Sequence, residues 1–192
     1  MAYKTTFKGK LEVICGSMFS GKSEELIRRL RRAEFAQIAT QTFKPSIDTR
    51  NTTDHVHAHS GDKLPATAVE TPEQLKACVF ESTHVVGIDE VQFFSSDIIL
   101  VINELLEQGK RIIVAGLDLD FRAVPFGCMP TLLALADEVT KLKAVCMICG
   151  HDAQFTQRLV DSQPAKFDDP LIMIGAQQCY QARCRNCYQI IY

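Results

Sequence analysis

Short apolar runs alternate along the chain with longer stretches in which apolar residues recur every three or four positions. The short runs predict buried strands, and the longer periodic stretches predict amphipathic helices. The predicted strands lie at residues 10–15, 40–44, 84–90 and 111–120, and the predicted helices at residues 23–39, 71–82 and 95–110. Because strands that alternate with helices favour right-handed βαβ units, we predict an α/β fold with a mostly parallel sheet flanked by helices.

Residues at the ends of the helical stretches support three of these boundaries. Thr71 is a suitable N-cap, and Pro72 would occupy the first helical position. Ser96 or Asp97 would cap the third helix, and Gly109 would end it. The sequence therefore marks where the second helix begins and where the third begins and ends.

The chain changes character at two places. Residues 45–66 are polar and rich in turn formers, which predicts a loop or a poorly ordered segment. After Lys143, short segments lie between pairs of cysteines, and no long helix is evident. We therefore predict two domains, an α/β core at residues 1–143 and a small cysteine-containing domain at residues 144–192.

Composition and charge narrow the class of protein. The 192 residues are 46% hydrophobic and 23% charged, which is typical of a soluble globular protein, and the net charge of −2 gives no basic surface for nucleic acid. No apolar run approaches the ~18 residues of a membrane span, and the polar N-terminus lacks the apolar segment of a signal peptide. We therefore predict a cytoplasmic protein with no nucleic-acid or membrane partner, in which the eight cysteines are mostly reduced.

A phosphate-binding motif follows the first predicted strand. Residues 16–23, GSMFSGKS, match the pattern G-x-x-x-x-G-K-[ST] and open the first predicted helix. In such a loop, backbone N–H groups and the positive end of the helix dipole point at phosphate oxygens. Lys22 would reach the β- and γ-phosphates of a nucleotide, and the Ser23 hydroxyl would bind Mg²⁺.

Two carboxylates end the apolar strand at residues 84–90. Asp89 has the position of a Walker B acid and would hold the metal ion directly or through water. Glu90 would face in another direction, because neighbouring side chains diverge along a strand. A base at Glu90 could activate water, as in an ATPase, or a hydroxyl group, as in a kinase, and the spacing does not decide between the two.

The cysteines of the C-terminal part form two C-x2-C pairs. Four thiolates can surround a structural Zn²⁺ as a tetrahedron that leaves no open position for chemistry, and the candidate ligands are Cys146, Cys149, Cys184 and Cys187. The other cysteines have no such spacing, and we predict that they are small packing residues: Cys15, Cys78, Cys128 and Cys179. Three alternating histidines could form a second metal site, although a solvated polar loop is the commoner arrangement: His55, His57 and His59.

An alternative function belongs to another class of protein. A glycine loop, a cysteine module and a run of arginines would also suit a zinc-ribbon ATPase that binds nucleic acid, and the arginines are Arg28, Arg29, Arg31 and Arg32. Such a protein would hydrolyse ATP faster when DNA is added. The near-neutral net charge and the short chain favour a solvated helix face or a subunit contact for these arginines.

Taken together, the motifs resemble those of the type II, zinc-containing thymidine kinases. The resemblance covers nearly the whole chain. The matching segments are GSMFSGKS at 16–23, DTR at 48–50, IDEVQFF at 88–94, FRAVPFG at 121–127, KLKAVCMICG at 141–150, FTQRL at 155–159, IGA at 174–176, Tyr180, and CRNCY at 184–188. The resemblance implies a P-loop, RecA-like core with a small C-terminal zinc-binding domain called the lasso.

The resemblance also implies a reaction and its cofactors. The γ-phosphate of ATP would pass to the 5′-hydroxyl of thymidine or deoxyuridine, with Mg²⁺ bound to ATP and Glu90 as general base, and thymidine monophosphate would serve DNA synthesis and nucleotide salvage. The residues expected at ATP and Mg²⁺ are Gly16, Ser17, Met18, Phe19, Ser20, Gly21, Lys22, Ser23, Asp48, Thr49, Arg50, Asp89, Glu90, Val91 and Gln92.

The same resemblance implies a nucleoside pocket, a regulator and an assembly. The residues expected at the nucleoside are Met18, Phe93, Leu117, Phe121, Phe126, Thr156, Leu171, Ile172, Met173, Ile174, Gly175 and Tyr180. Family members are typically homotetramers inhibited by thymidine triphosphate, so both properties are expected of this chain. A pocket of Phe and Leu side chains suits a flat pyrimidine whose edge is recognised by backbone groups.

Overall fold

A six-stranded sheet, in which every strand pairing is parallel, forms the centre of the molecule. The structure is a computed structural model that describes residues 8–47, 55–57, 63–171 and 179–192. The first eight strands along the chain are β1 (Lys10–Cys15), β2 (Thr40–Pro45), β3 (His55–His57), β4 (Lys63–Pro65), β5 (Thr67–Val69), β6 (Val85–Ile88), β7 (Arg111–Gly116) and β8 (Glu138–Lys141). Strands β3 and β4 form a separate two-stranded sheet. The order across the sheet is β5-β2-β6-β7-β1-β8, which confirms the predicted α/β fold.

Helices connect these strands and cover the sheet. They are α1 (Lys22–Phe35), α2 (Pro72–Cys78), α3 (Ile98–Glu107) and α4 (Met129–Leu135), with a 3₁₀ turn at Val91–Phe93. The three helices predicted from the sequence are present, and α4 and β8 were not predicted. No helix in the described part of the chain has the length and apolarity needed to cross a membrane.

Two clusters of apolar side chains occupy opposite faces of the sheet. On one face, α1 packs through Leu26, Ile27 and Leu30. On the other face, Ile98 and Ile102 of α3 contribute to a larger cluster that also includes residues of α4. The central strands are buried on both faces, and for this reason they read in the sequence as continuous apolar runs.

Left-handed backbone conformations explain why two elements end earlier than predicted. Gln37 has a φ of 58°, and α1 ends before it at Phe35 instead of continuing to residue 39. Glu90 has a φ of 50°, and β6 ends before it at Ile88. Non-glycine residues adopt this conformation rarely, so the hydrophobic pattern does not reveal it.

The helix ends match the sequence prediction at one cap and differ at another. Thr71 is the N-cap of α2, and its side chain accepts a hydrogen bond from the Gln74 N–H. Asp97 occupies the N-cap position of α3 but makes no capping bond, since its carboxylate accepts a bond from Ser95 Oγ. Asp97, one of the two predicted alternatives, is therefore the N-cap by position, but its side chain makes no capping bond.

The prediction of a loop or a poorly ordered segment at residues 45–66 is wrong for residues 55–57 and 63–65, which form strands, and it is confirmed at residues 46–47, which form a turn. Strands β3 and β4 pair antiparallel, with Val56 opposite Leu64. Both side chains are buried in the cluster under α1. One apolar residue in each short strand packs the pair against the cluster under α1. A hydrophobic pattern of one residue per strand is too weak to distinguish from that of a loop.

The run of arginines on α1 takes part in ion pairs. Arg29 is buried and contacts Glu12 of β1 at 2.7 Å and Glu25 at 2.8 Å. Arg28 contacts Glu25 at 2.6 Å. These pairs give Arg28 and Arg29 a structural role that needs no nucleic acid.

Small antiparallel sheets form the remainder of the chain. The strands are β9 (Ala144–Val145), β10 (Asp152–Ala153), β11 (Phe155–Val160), β12 (Gln163–Pro164) and β13 (Cys179–Arg183). Strand β9 pairs with β10, and β11 lies between β12 and β13. The apolar cluster here consists of small alanine and cysteine side chains, in contrast to the large side chains under the six-stranded sheet.

Candidate active site

The glycine loop joins β1 to α1 through two residues that only glycine suits. Gly16 has a φ of 147°, and a Cβ placed on it would lie 2.4 Å from the Leu142 carbonyl oxygen. Gly21 has a φ of 85° and immediately precedes α1. The loop therefore turns tightly and ends at the positive end of a helix, which is the arrangement that binds phosphate.

Lys22 lies within this loop and is buried. Its Nζ donates a hydrogen bond of 2.8 Å to the Ser17 carbonyl oxygen. The bond holds the ammonium group of Lys22 against the backbone of the loop.

The loop contacts the acidic end of β6. Ser23 Oγ lies 3.1 Å from Asp89 Oδ2, and the other carboxylate oxygen accepts a bond of 3.0 Å from the Glu90 N–H. Burial, followed by the negative charge of Glu90, raises the pKa of the Asp89 carboxyl to about 7. A carboxylate beside a serine hydroxyl is a donor set that fits Mg²⁺.

Glu90 is held by a neighbour on the following turn. Gln92 Nε2 donates to Glu90 Oε2 at 2.5 Å, and Gln92 Oε1 accepts a bond of 3.1 Å from the Leu117 N–H. Gln92 is itself buried, which fixes its orientation. Asp89 and Glu90 do point to different partners, but the cause is the left-handed backbone of Glu90 after the strand, and not alternation within it.

Aromatic and aliphatic side chains lie beside these carboxylates. Phe93 and Phe126 meet edge to face with ring centroids 5.5 Å apart. Leu117 and Phe121 follow β7 and are buried. These residues come from two connections on the carboxyl side of the parallel strands, where ligands bind in open α/β sheets.

The C-terminal part of the chain reaches the glycine loop directly. The Met18 N–H donates a hydrogen bond of 3.0 Å to Thr156 Oγ1 of β11. Ser17 Oγ donates a longer bond of 3.4 Å to the Ala153 carbonyl oxygen. Thr156 is therefore placed against the loop by the fold, although 138 residues separate it from Met18.

The two C-x2-C pairs converge on one point, and their sulfur atoms all lie within 4.8 Å of one another. Cys149 Sγ lies 3.5 Å from Cys184 Sγ and 3.6 Å from Cys187 Sγ. A tetrahedral Zn²⁺ with Zn–S bonds of about 2.3 Å requires S···S separations of roughly 3.8 Å. The cluster therefore fits a structural zinc ion.

Comparison with known families decides what this arrangement is. A family model described as thymidine kinase matches residues 9–188, nearly the whole chain. The chain belongs to the thymidine kinase family. Family membership establishes a kinase that phosphorylates thymidine, and the four-cysteine cluster agrees with the zinc-containing type II kind.

Some residues that the thymidine kinase resemblance points to fall outside the described part of the structure. They are Asp48, Thr49, Arg50, Ile172, Met173, Ile174 and Gly175. Leu171 and Tyr180, which flank the second of these gaps, are half-buried. Tyr180 pairs across the sheet with Arg158 of β11.

The cysteines outside the cluster differ among themselves. Cys15 and Cys128 are buried, and burial raises the pKa of each thiol to about 11, as expected of packing residues. Cys78 is half-buried and packs against the larger apolar cluster. Cys179 is exposed, so its assignment as a packing residue is wrong.

The histidines give no support for a second metal site within the described residues. His55 and His57 are the end residues of β3, and His59 lies outside the described ranges. Among the residues the structure describes, the four cysteines are the one group of three or more potential ligands close enough to share a metal ion.

Two residues near the pocket were not identified from the sequence. Tyr188 donates a hydrogen bond of 2.7 Å to the Phe121 carbonyl oxygen. Arg158 lies with its guanidinium carbon 3.7 Å from the centroid of the Phe121 ring. Both lie inside segments quoted for the family resemblance, but contacts across more than thirty residues leave no local pattern to detect.

Proposed function

We propose that this thymidine kinase family member transfers the γ-phosphate of ATP to the 5′-hydroxyl of thymidine or deoxyuridine, giving the nucleoside monophosphate and ADP. One observation carries the proposal. Ser23 of the glycine loop is hydrogen-bonded to Asp89, and Glu90 follows Asp89 on the same turn. This arrangement brings a phosphate-binding loop, a metal-binding acid and a second acid to one place.

In this proposal the glycine loop holds the nucleotide. The N–H groups of residues 16–23 bind phosphate oxygens, and Lys22 places its charge on the β- and γ-phosphates. Ser23 and Asp89 would hold Mg²⁺, which neutralises charge on the phosphates when bound. Asp48, Thr49 and Arg50 complete the phosphate site, as the family resemblance implies.

Glu90 acts as the general base. Its carboxylate accepts the proton of the 5′-hydroxyl as that oxygen forms a bond to the γ-phosphorus, and the bond from the γ-phosphorus to the β,γ-bridging oxygen breaks to release ADP. The hydrogen bond from Gln92 keeps the carboxylate turned toward the pocket wall at Leu117. A carboxylate held in this way can receive a proton without first reorienting.

The nucleoside binds between the aromatic wall and the C-terminal part. Phe93, Leu117, Phe121 and Phe126 surround the base, while Met18 and Thr156 lie at its other side. As the family resemblance implies, residues 171–175 and Tyr180 would cover the base as the lasso, with Zn²⁺ at the four cysteines holding this part of the chain in place. Covering the base also excludes water, which favours transfer to the sugar over hydrolysis of ATP.

Five further properties belong to the same proposal. Thymidine triphosphate inhibits the enzyme by occupying the site, and the enzyme works as a cytoplasmic homotetramer. Its product supplies DNA synthesis through nucleotide salvage. The chain divides into a nucleotide-binding core at residues 1–143 and a lasso domain at residues 144–192.

The test is direct measurement of phosphoryl transfer. Purified protein with ATP, Mg²⁺ and thymidine should give thymidine monophosphate and ADP in equal amounts, measured by chromatography. Glu90→Gln should lower kcat roughly 10²–10⁴-fold, because it removes the base, and leave ATP binding unchanged. Glu107→Gln, an exposed acid on α3, is the matched control and should retain full activity. ADP formation that does not depend on thymidine would contradict the kinase assignment.

A further inference from the structure

Arg158 of β11 is a fully buried cation whose surroundings are unusual. Its exposed fraction is 0%. Its Nε and Nη2 atoms have no hydrogen-bond partner among the described residues, and Asp169 lies 3.5 Å from Nη2 without hydrogen-bond geometry. A buried guanidinium so weakly compensated is costly, and apolar residues of similar size often replace such groups without loss of stability. Packing alone therefore does not account for an arginine here.

The contacts that Arg158 does make join two separate parts of the pocket. Its guanidinium stacks on the ring of Phe121 at 3.7 Å, the range of a strong cation–π contact. Its Nη1 donates a hydrogen bond of 2.7 Å to the carbonyl oxygen of Pro170. Phe121 belongs to the aromatic wall, and Pro170 immediately precedes Leu171, where the lasso contact segment begins.

Phe121 is also held from its backbone. The Tyr188 hydroxyl donates to the Phe121 carbonyl oxygen at 2.7 Å, and the Tyr188 ring stacks on Phe155 with centroids 4.9 Å apart. Phe155 is the neighbour of Thr156, which contacts the glycine loop. Phe121 is therefore held at its backbone by Tyr188 and at its ring by Arg158. Arg158 also makes the hydrogen bond to Pro170.

We propose that Arg158 is a positioning residue for the nucleoside, holding the ring of Phe121 and the start of the lasso segment at Pro170 in a fixed relation. The inference rests on the proposed nucleoside pocket. Arg158 acts through these two neighbours and takes no part in phosphoryl transfer. Its loss should weaken thymidine binding while leaving ATP binding and the chemical step unchanged.

The experiment compares Arg158→Met and Arg158→Lys with the wild-type chain. For each protein, thymidine binding is measured by calorimetry, and steady-state kinetics give the KM for thymidine, the KM for ATP and kcat. Arg158→Met should raise the Kd and KM for thymidine roughly tenfold or more, since it removes a charge-assisted hydrogen bond and a stacked guanidinium. The KM for ATP, kcat and zinc content should stay within about twofold. Arg158→Lys keeps the charge but not the planar group, so the rise should be smaller, on the order of threefold.

Arg111→Met is the matched control, because it removes an arginine that is paired with Glu12 far from the pocket. It should lower the thermal stability and leave the KM for thymidine unchanged. A thymidine Kd within twofold of wild type in a folded, zinc-loaded Arg158 variant would overturn the inference. Should Arg158→Met fail to fold, the thymidine Kd of Arg158→Lys decides alone. Wild-type protein that binds thymidine but does not phosphorylate it would contradict the proposed function and leave the binding test of Arg158 intact.

Discussion

The six-stranded sheet and the cysteine region, residues 144–171 and 179–192, are stabilised by different means. The sheet is covered on both faces by large aliphatic side chains that are almost completely buried. The cysteine region has an apolar cluster made of alanine and cysteine side chains. Small side chains bury little area, so hydrophobic burial contributes much less to the stability of this region.

Other contacts take the place of hydrophobic burial in the cysteine region. Four sulfur atoms converge in an arrangement that could hold a metal ion. Aromatic and cationic side chains also stack, with the Arg185 guanidinium carbon 4.9 Å from the centroid of the Phe155 ring and the Phe155 ring stacked on that of Tyr188. The two regions meet at the glycine loop and at Phe121. The comparison shows that the sheet, which carries the glycine loop and Asp89, has its own large apolar clusters, whereas the cysteine region has a cluster of small side chains beside four converging sulfur atoms.

The largest expected effect is that of removing a zinc ligand. Cys184→Ser should abolish stoichiometric zinc, measured by atomic absorption, because three thiolates do not replace a closed tetrahedral set. The cysteine region should then be cleaved rapidly by proteases, while the sheet keeps its free energy of unfolding within about 1 kcal/mol. Cys179→Ser, which replaces an exposed cysteine outside the cluster, should behave as wild type. A large fall in the free energy of unfolding of the sheet in Cys184→Ser would show instead that the two regions unfold as one cooperative unit.

Removing a charge from the core has the next largest effect. Glu12 is buried, and its carboxylate contacts Arg29 at 2.7 Å and Arg111 at 2.8 Å. Glu12→Gln would leave buried Arg29 with Glu25, at 2.8 Å, as its nearest remaining counter-charge. The free energy of unfolding should therefore fall by about 3 kcal/mol, the lower end of the range for breaking a buried ion pair. Urea unfolding at neutral pH measures the change. Glu138→Gln, at an exposed carboxylate of the same cluster, should cost less than 1 kcal/mol.

The loss of stability in Glu12→Gln should depend on pH. Burial alone would raise the pKa of Glu12, but hydrogen bonds from Arg111 and Arg29 outweigh it and lower the pKa to about 2 from the ordinary value of 4.5. Because the folded pKa is depressed, the stabilisation is complete above about pH 4.5 and is lost as the pH falls through 2. The difference in stability between wild type and Glu12→Gln should therefore narrow below pH 4.5. A constant difference from pH 6 to pH 2.5 would show that Glu12 titrates normally.

A smaller effect is expected where a glycine permits close packing. A Cβ on Gly87 of β6 would lie 2.6 Å from Cδ1 of Leu30, so Gly87→Ala should destabilise the sheet by about 1–3 kcal/mol through overpacking. Gly150, in the cysteine region, has nothing within 4 Å of its Cβ position, and its φ of 74° is the only obstacle. Gly150→Ala should therefore leave the unfolding of the sheet unchanged. Equal losses in both variants would contradict the contrast drawn between the regions.

Much of the candidate site was predictable from the sequence because its motifs are local. The glycine loop and the acidic end of β6 are each a few consecutive residues, and each C-x2-C pair is equally short in sequence. The structure brings the loop and Asp89 together, and the two cysteine pairs together, as expected. The parallel sheet followed from strands whose burial on both faces leaves continuous apolar runs.

The parts of the fold and the site that the sequence did not predict depend mainly on contacts between segments that are distant in the chain. Strands β3 and β4 dock through one apolar residue each, and the left-handed backbone of Glu90 has no hydrophobic pattern. Arg158 reads in the sequence as an ordinary polar position of a strand. It is buried only because β11 packs against the connection that carries Phe121, and that packing becomes known only with the fold.

The smallest expected effect lies at the start of α2. Thr71 Oγ1 accepts a bond of 3.2 Å from the Gln74 N–H, and Gln74 Oε1 accepts one of 2.7 Å from the Glu70 N–H. Thr71→Ala removes the first of these bonds, so the free energy of unfolding should fall by about 1 kcal/mol, whereas Thr71→Ser keeps the hydroxyl and most of the stability. Zinc content should be the same in both variants, because α2 packs on the sheet far from the four sulfurs. Chemical denaturation with parallel zinc analysis measures both quantities, and a loss of metal in Thr71→Ala would show that disturbance of the sheet reaches the cysteine region.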